Sequence, residues 1–448
     1  MASTSNEGGA SQAAVERAEA LGSTFDQIGE VLLRTRFTSA RVEARAFDVL
    51  RNAGVTLPLA GLTLAVKACF DVRGWVTDAA SVVLRDELPA VKDAPLVAAL
   101  RNAGASLVGH ANMTEFAFGA LGINTTTGTP RTPLDVRRER VAGGSTSGGA
   151  VSVACGLADI ALGTDTSGSV RIPAAFCGVV GFKPSRGVLS DEGCIPLSAT
   201  FDVPGFITRD VTTVLRIVDA LALYRQRVSP EFHGDHRTLL LRDVRFAVPQ
   251  NFALGRADET VARAFERTVE RLKRCGATVI ERDFADLTFP SRVAAESGII
   301  VADAYAVHEK WIHERLAQYD PLVGPRILAG QNVLAHRYIN GKRALKQFAR
   351  AFDEEIAEYD ALLTPTVPIV PPRVNDLQTK DEYLRVNALS FSLTELANRV
   401  DVPSIALPFG PADEGPHGLM LTGRRSDDVR LLSIGRRVEQ ALAQNGQR

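Results

Sequence analysis

Between Val141 and Pro173 the chain reads VAGGSTSGGAVSVACGLADIALGTDTSGSVRIP, two glycine- and serine-rich stretches separated by one short apolar unit. Nothing else in the sequence constrains the fold as tightly. Glycine clusters let a backbone pass close to another group and let several N–H groups converge on an anion. A single loop of this kind is most simply a tight connector. Two such loops flanking one helix–strand unit, with Lys67 closing an apolar run upstream, read instead as a chemical site. Known glycine signatures do not fit. The Gly-Lys-[Ser/Thr] ending of a phosphate loop is missing, no GxGxxG follows a strand, and no GxSxG elbow surrounds Ser145, Ser147, Ser167 or Ser169.

Around these loops, short apolar runs alternate with helix-patterned segments. The run Gly61 to Val66 predicts a buried strand ending at Lys67. Further strands are predicted at 105–109, 160–163 and 179–182, with helices at 95–102, 149–156 and 169–176 between them. Residues 13–53 carry helical spacing and predict two or three helices. After a polar stretch at 225–243, strands are predicted at 245–249, 277–280, 361–365, 404–407 and 419–422. Helices are predicted at 260–274, over most of 291–358, and at 428–444. This alternation places the chain in the α/β class, with helices covering both faces of a sheet. No internal repeat is found.

Composition narrows the function. With 448 residues, length alone suggests about three domains at ~150 residues each, although α/β enzymes run longer as one unit. Lys+Arg of 51 against Asp+Glu of 52 leaves a net charge of −1, which argues against gripping nucleic acid or anionic membrane by bulk charge. Five scattered cysteines without a CxxC pair speak against a disulfide framework or thiol zinc site and for a reducing cytoplasm. The start MASTSNEGGASQ lacks the basic and apolar parts of a signal peptide, and no run of about 18 apolar residues exists.

The segments GGSTSGGA (143–150) and LGTDTSGSVRIPAAFCGVVGFKP (162–184) resemble the signature of the amidase signature family, serine hydrolases that cleave amide bonds. LAVKACFDVRG (64–74), GHANMTEFAFG (109–119) and PLSATFDVPGFITRDV (196–211) agree in order. The resemblance implies a single large mixed β-sheet sandwiched between layers of α-helices. It implies a disordered 1–12 and one domain over 13–448, with a signature core at about 55–225. A helical substrate-side insertion at about 285–358 and returning strands with a C-terminal helix at about 359–445 complete it.

Carried over by position, the resemblance puts the catalytic lysine on Lys67, the bridging serine on Ser145 after a cis bond from Gly144, and the nucleophile on Ser169. Numbers 145 and 169 stand 24 residues apart, as the family's pattern has it. A serine hydroxyl needs a base; no histidine lies near the motif, so a lysine amine whose pKa burial has lowered would serve through Ser145. Backbone N–H groups of Thr166, Ser167, Gly168 and Ser169 would form the oxyanion hole. Asp165 and Arg171 would form an ion pair that shapes the loop, Asp202 would brace the same core, and Asn112 and Met113 would border the substrate. No metal and no cofactor are implied. His233 and His236 lack a third ligand, and His308 and His313 read as structural.

Departures from the family's pattern are Ala68 after the lysine, Ala142 before the paired glycines, Thr146 and Ser167. The expected function is hydrolysis of a small-molecule, non-peptide carboxylic amide to acid plus ammonia or amine through an acyl-serine. The alternatives are the glutaminase (A-type) subunit of a tRNA-dependent amidotransferase, a biuret- or allophanate-type hydrolase, and a non-catalytic scaffold. No nucleic-acid or membrane partner is expected, and the family's habit makes a homodimer a candidate assembly.

Overall fold

Along β2 (Thr63–Lys67), Leu64 and Val66 point to one side of the sheet and Ala65 to the other, the period-two alternation that decides what each face packs against. The computed structural model describes residues 9–223, 239–409 and 417–443; the histidines at 233 and 236 lie outside them. Among the described residues eleven strands form one sheet. The others are β1 (Leu32–Thr35), β3 (Ser106–Ala111), β4 (Ile160–Asp165), β5 (Val180–Lys183), β6 (Val203–Thr208), β7 (Arg245–Pro249), β8 (Thr278–Arg282), β9 (Ala361–Pro365), β10 (Ser404–Phe409) and β11 (His417–Gly423). Their order is β1-β3-β2-β4-β6-β5-β10-β11-β9-β7-β8. The sheet is mixed: β3, β2 and β4 run parallel, as do β8, β7 and β9, while the pairs between them are antiparallel.

Both faces are covered, as the α/β reading expects. Ala65, Val108, Ala161 and Ile207 pack on the helices Ala10–Thr24, Phe37–Asn52 and Ser147–Ala154. Leu64, Val66, Leu107, Ile160 and Phe206 pack on the helices Pro95–Asn102 and Ile299–Arg315. At roughly 25 cal/mol per Å² of apolar area removed from water, these layers supply the main driving force for folding.

Two strands escape the pattern. Val31 to Thr35 sits in the stretch predicted to be all helix, yet β1 pairs antiparallel with β3 (Leu32 opposite Ala111), so edge pairing overrides local helical spacing. β6 lies between β4 and β5 although its second residue is Pro204, a residue that speaks against a central strand. At the amino end the first helix begins at Ala10, inside the stretch expected to be disordered.

Candidate active site

β2 and β4 are parallel neighbours, and both end at the same edge, with Lys67 last on one and Thr164 and Asp165 last on the other. Crevices outside the carboxyl ends of parallel strands are the usual place for ligands in open α/β sheets. Two turns arrive there. One leads through Gly144 and Ser145, joined by a cis peptide bond, into the helix Ser147–Ala154. The other leads from β4 through Ser169 into the helix Arg171–Cys177. The turns touch where the Thr146 amide donates to the Ser169 carbonyl (3.2 Å).

Lys67 is wholly buried. Its Nζ lies 2.7 Å from Ser145 Oγ, 2.7 Å from Thr164 Oγ1 and 3.3 Å from the Thr164 carbonyl. Burial is the main influence and pushes its pKa below the ordinary lysine value, against the opposing pull of groups that include Asp202 and Asp165. A neutral amine has two N–H donors and one lone pair, so it can donate to two of these oxygens and accept from a hydroxyl. The position after it, Ala68, carries no polar group; Thr164 supplies the bracing instead. The Ser169 hydroxyl makes no hydrogen bond to any described residue.

The turn 165–171 is built around a buried ion pair. Arg171 meets Asp165 in a two-pronged contact, Nε to Oδ2 at 3.1 Å and Nη2 to Oδ1 at 2.9 Å. Burial alone would raise the Asp165 pKa, but the adjacent guanidinium outweighs it and holds the carboxyl down at about 2. Asn398 bridges the pair, accepting from Arg171 (2.7 Å) and donating to the Asp165 carbonyl and carboxylate (2.9 and 3.0 Å). Arg399 donates to the Thr166 carbonyl (3.0 Å) and to Ser167 Oγ (2.8 Å), and the Thr394 hydroxyl donates to the Ser167 carbonyl. Ser167, one of the departures, is thus paired by a guanidinium. Asp202 accepts from the Thr166 hydroxyl (2.5 Å) and from the amides of Leu197 and Ser198; burial raises its pKa to about 6.

The expected donor set needs one correction. The Gly168 amide donates to Asp165 Oδ1 (2.8 Å) because the carboxylate folds back over its own turn, so it is not free for a ligand. Thr166, Ser167 and Ser169 keep amides that no described acceptor takes up. Gly168 itself is required: its φ is +133°, and a Cβ there would stand 2.2 Å from Thr394 Oγ1.

Asn112 and Met113 are buried beside the Ser145 turn, where the Gly148 amide donates to the Asn112 carbonyl (3.0 Å). The Asn112 amide group donates to the carbonyls of Glu30, Thr127 and Gly128, and its oxygen accepts from the Met113 amide and the Thr127 hydroxyl. With every polar atom engaged, it ties loops together. Met113 is buried in the apolar core. His308 is structural as expected, held by Tyr319 OH (3.0 Å) and pushed down to about 4 by burial. Sequence patterns do not single out Thr164, Thr394, Asn398 and Arg399. Among the described residues no cluster of His, Cys, Asp or Glu could hold a metal, and no helix is long and apolar enough to cross a membrane.

With this geometry in hand, comparison with known proteins is decisive. The family model "Amidase" matches residues 12–432. A 2-amino-5-chloromuconic acid deaminase of Comamonas testosteroni is 34% identical over 90% of this chain and 87% of its own. The A-type subunit of the glutamyl-tRNA(Gln) amidotransferase of Methanospirillum hungatei is 31% identical over 86% of this chain and 94% of its own. A solved amidase structure superposes with a TM-score of 0.85 at 32% identity, covering 96% of both chains. The chain therefore belongs to the amidase family, hydrolases that act on carbon–nitrogen bonds of non-peptide amides.

Proposed function

We propose that Lys67, Ser145 and Ser169 form a catalytic relay that hydrolyses a small-molecule carboxylic amide through an acyl-Ser169 intermediate. The observation that carries this reading is the wholly buried Lys67 amine 2.7 Å from Ser145 Oγ. Ser169 Oγ attacks the amide carbon while its proton passes through the Ser145 hydroxyl to the neutral Lys67 amine. The carbonyl oxygen, now negative, faces the amides of Thr166, Ser167 and Ser169; removing one such donor in comparable sites costs about 10²–10³ in rate. The proton then returns through Ser145 to the leaving nitrogen, which departs as ammonia or amine. Water then attacks the ester, its proton passing through Ser145 to Lys67 and returning to Ser169 Oγ as the ester C–O bond breaks, which releases the acid and restores Ser169.

The test is labelling of the folded protein with a fluorophosphonate probe. Ser169 should carry the label in the wild type, Ser169→Ala protein should take up none, and Lys67→Ala should slow labelling and abolish turnover without loss of fold. An unlabelled Ser169 in folded protein removes the reading. An amide panel (aliphatic, aryl, urea-derived, peptide) read by ammonia or acid release then identifies the substrate class. The likeness to the A-type amidotransferase chain supports a second reading, a glutaminase working within a complex. Glutamine turnover by the lone chain, with its mass by size exclusion as monomer or homodimer, separates the two. The free state of all five cysteines fits a reducing, cytoplasmic setting.

A further inference from the structure

A second feature lies on the outer side of the turn that carries Ser169. A cleft of about 340 Å³ opens beside the helix Ala335–Glu355. Six of its lining side chains are cations: Arg186, Lys342, Lys346, Arg350, Arg399 and Arg425. Only two acids, Asp353 and Asp401, line it with them. Arg425 uses both, at 2.8 Å and 3.8 Å, and Arg399 pairs with Glu395 at 3.2 Å. The remaining four cations form no ion pair among the described residues.

Their placement is not that of scattered surface charge. Lys342, Lys346 and Arg350 stand at i, i+4 and i+8 of one helix, so they share a face, and like charges at that spacing repel. They converge on a wall where Arg399 has a side chain only 2% exposed and a buried Nε without a hydrogen-bond partner; Arg186 Nε is in the same state. Lys342, Lys346 and Arg350, exposed along that wall without an acidic partner among the described residues, are donors prepared for an acceptor. Leu345, Ala349 and Phe201 add an apolar floor. The complement of such a wall is a small molecule with an apolar body and an oxyanion at its end.

We propose that this cleft binds a small carboxylate- or phosphate-bearing molecule, and that Arg399 links its occupancy to the turn carrying Ser169. The link is direct: Arg399, which lines the cleft, also holds the Thr166 carbonyl and Ser167 Oγ. An anion bound there draws on the same group that positions two of the three free amides. The anion has two sources, the charged tail of the amide substrate or a free acid acting as effector.

Succinate and inorganic phosphate are the probes, titrated calorimetrically into the full chain. Saturable binding is expected, weakening as salt rises. Lys346→Gln with Arg350→Gln should lower the affinity at least tenfold, and Lys346→Glu should abolish it. Both positions are exposed on the helix, and an unchanged circular dichroism spectrum checks the fold. No saturable binding of either probe, or binding that survives Lys346→Glu, overturns the proposal. A matched pair of amides, one neutral and one ending in carboxylate, separates the sources. If the anion is the substrate's tail, succinate competes with the charged amide, and the double variant lowers its kcat/KM at least tenfold relative to the neutral one. If the anion is an effector, succinate alters kcat for the neutral amide without competing. Binding is also measured with Ser169→Ala, so its failure and the failure of the acyl-serine reading are seen separately.

Discussion

The two turns that meet at Lys67 are held in different ways. The Ser145 turn is held by backbone from its own neighbourhood: the Thr114 amide donates to the Ser145 carbonyl (3.1 Å) and the Gly144 amide to the Ala120 carbonyl (2.6 Å). It is packed so closely that a Cβ on Gly144 would stand 2.6 Å from the Gly122 nitrogen. The Ser169 turn is held by side chains, several of them reaching from more than 220 residues further on, namely Thr394, Asn398 and Arg399. A backbone-held turn is rigid through volume and tolerates no added atom. A side-chain-held turn is rigid through charge and can be retuned one distant residue at a time.

The largest effect separates chemistry from scaffolding. Ser169→Ala should lower kcat by roughly 10⁴-fold or more, as loss of a serine nucleophile does elsewhere, while the melting temperature stays close to that of the wild type. Gly144→Ala should do the reverse of this division, losing activity together with stability, because the first turn has no room to yield. Steady-state kinetics beside thermal melts make the comparison. A Gly144→Ala protein that melts like the wild type would break the contrast between the turns.

Next comes the ion pair. Arg171→Leu leaves the Asp165 carboxylate buried and unpaired, a change that costs about 3–5 kcal/mol in comparable sites. Denaturant unfolding should register it, and Arg171→Lys, which keeps a charge but not the two-pronged geometry, should fall between. Asn398→Ala is smaller: it strips hydrogen bonds from both partners without removing a charge, about 1–3 kcal/mol. Its sharper signature is kinetic, a fall in kcat exceeding any change in KM, since the turn it braces carries the free amides. If Asn398→Ala changed KM alone, the distant brace would be irrelevant to the Ser169 turn.

This contrast also explains what the sequence made legible. Lys67, Ser145, Ser169 and the Asp165–Arg171 pair lie in contiguous motifs whose glycines and small residues announce close packing. Thr394, Asn398 and Arg399 lie in or beside an ordinary helical stretch, ELANR, and nothing local marks them as partners of residues 165–167. Their meaning arises only when β10 pairs with β5 and brings that stretch against the turn. Asn112 shows the opposite: its motif is conspicuous, yet the side-chain amide that draws attention to it is engaged by the distant carbonyls of Glu30, Thr127 and Gly128. β6 was hidden by Pro204, and β1 by the helical spacing on either side of it.

The smallest effect sets the pH response of the first turn's surroundings against that of the Asp165–Arg171 pair in the second. Glu115, next to the Thr114 that holds Ser145, is buried against the Ser81 hydroxyl (2.7 Å) and the Asp320 amide (2.8 Å). Burial raises its pKa to about 7, above the ~4.3 of an exposed glutamate. A raised acid stabilises the fold fully at pH values below its unfolded pKa, and that contribution is lost as pH rises through about 7. Between pH 6 and 8 the loss is on the order of 1 kcal/mol. Asp165, held at about 2, has the opposite sign: its contribution stands throughout this window and is lost only as pH falls towards 2. Glu115→Gln keeps the shape of the neutral acid, with its oxygen free to accept from Asp320 and its amide to donate to Ser81. Melts of this variant should therefore flatten between pH 6 and 8 relative to the wild type, whereas Asn398→Ala should leave the slope in that window untouched. An unchanged slope in Glu115→Gln would mean that the first turn's support is as indifferent to pH in that window as the Asp165–Arg171 pair.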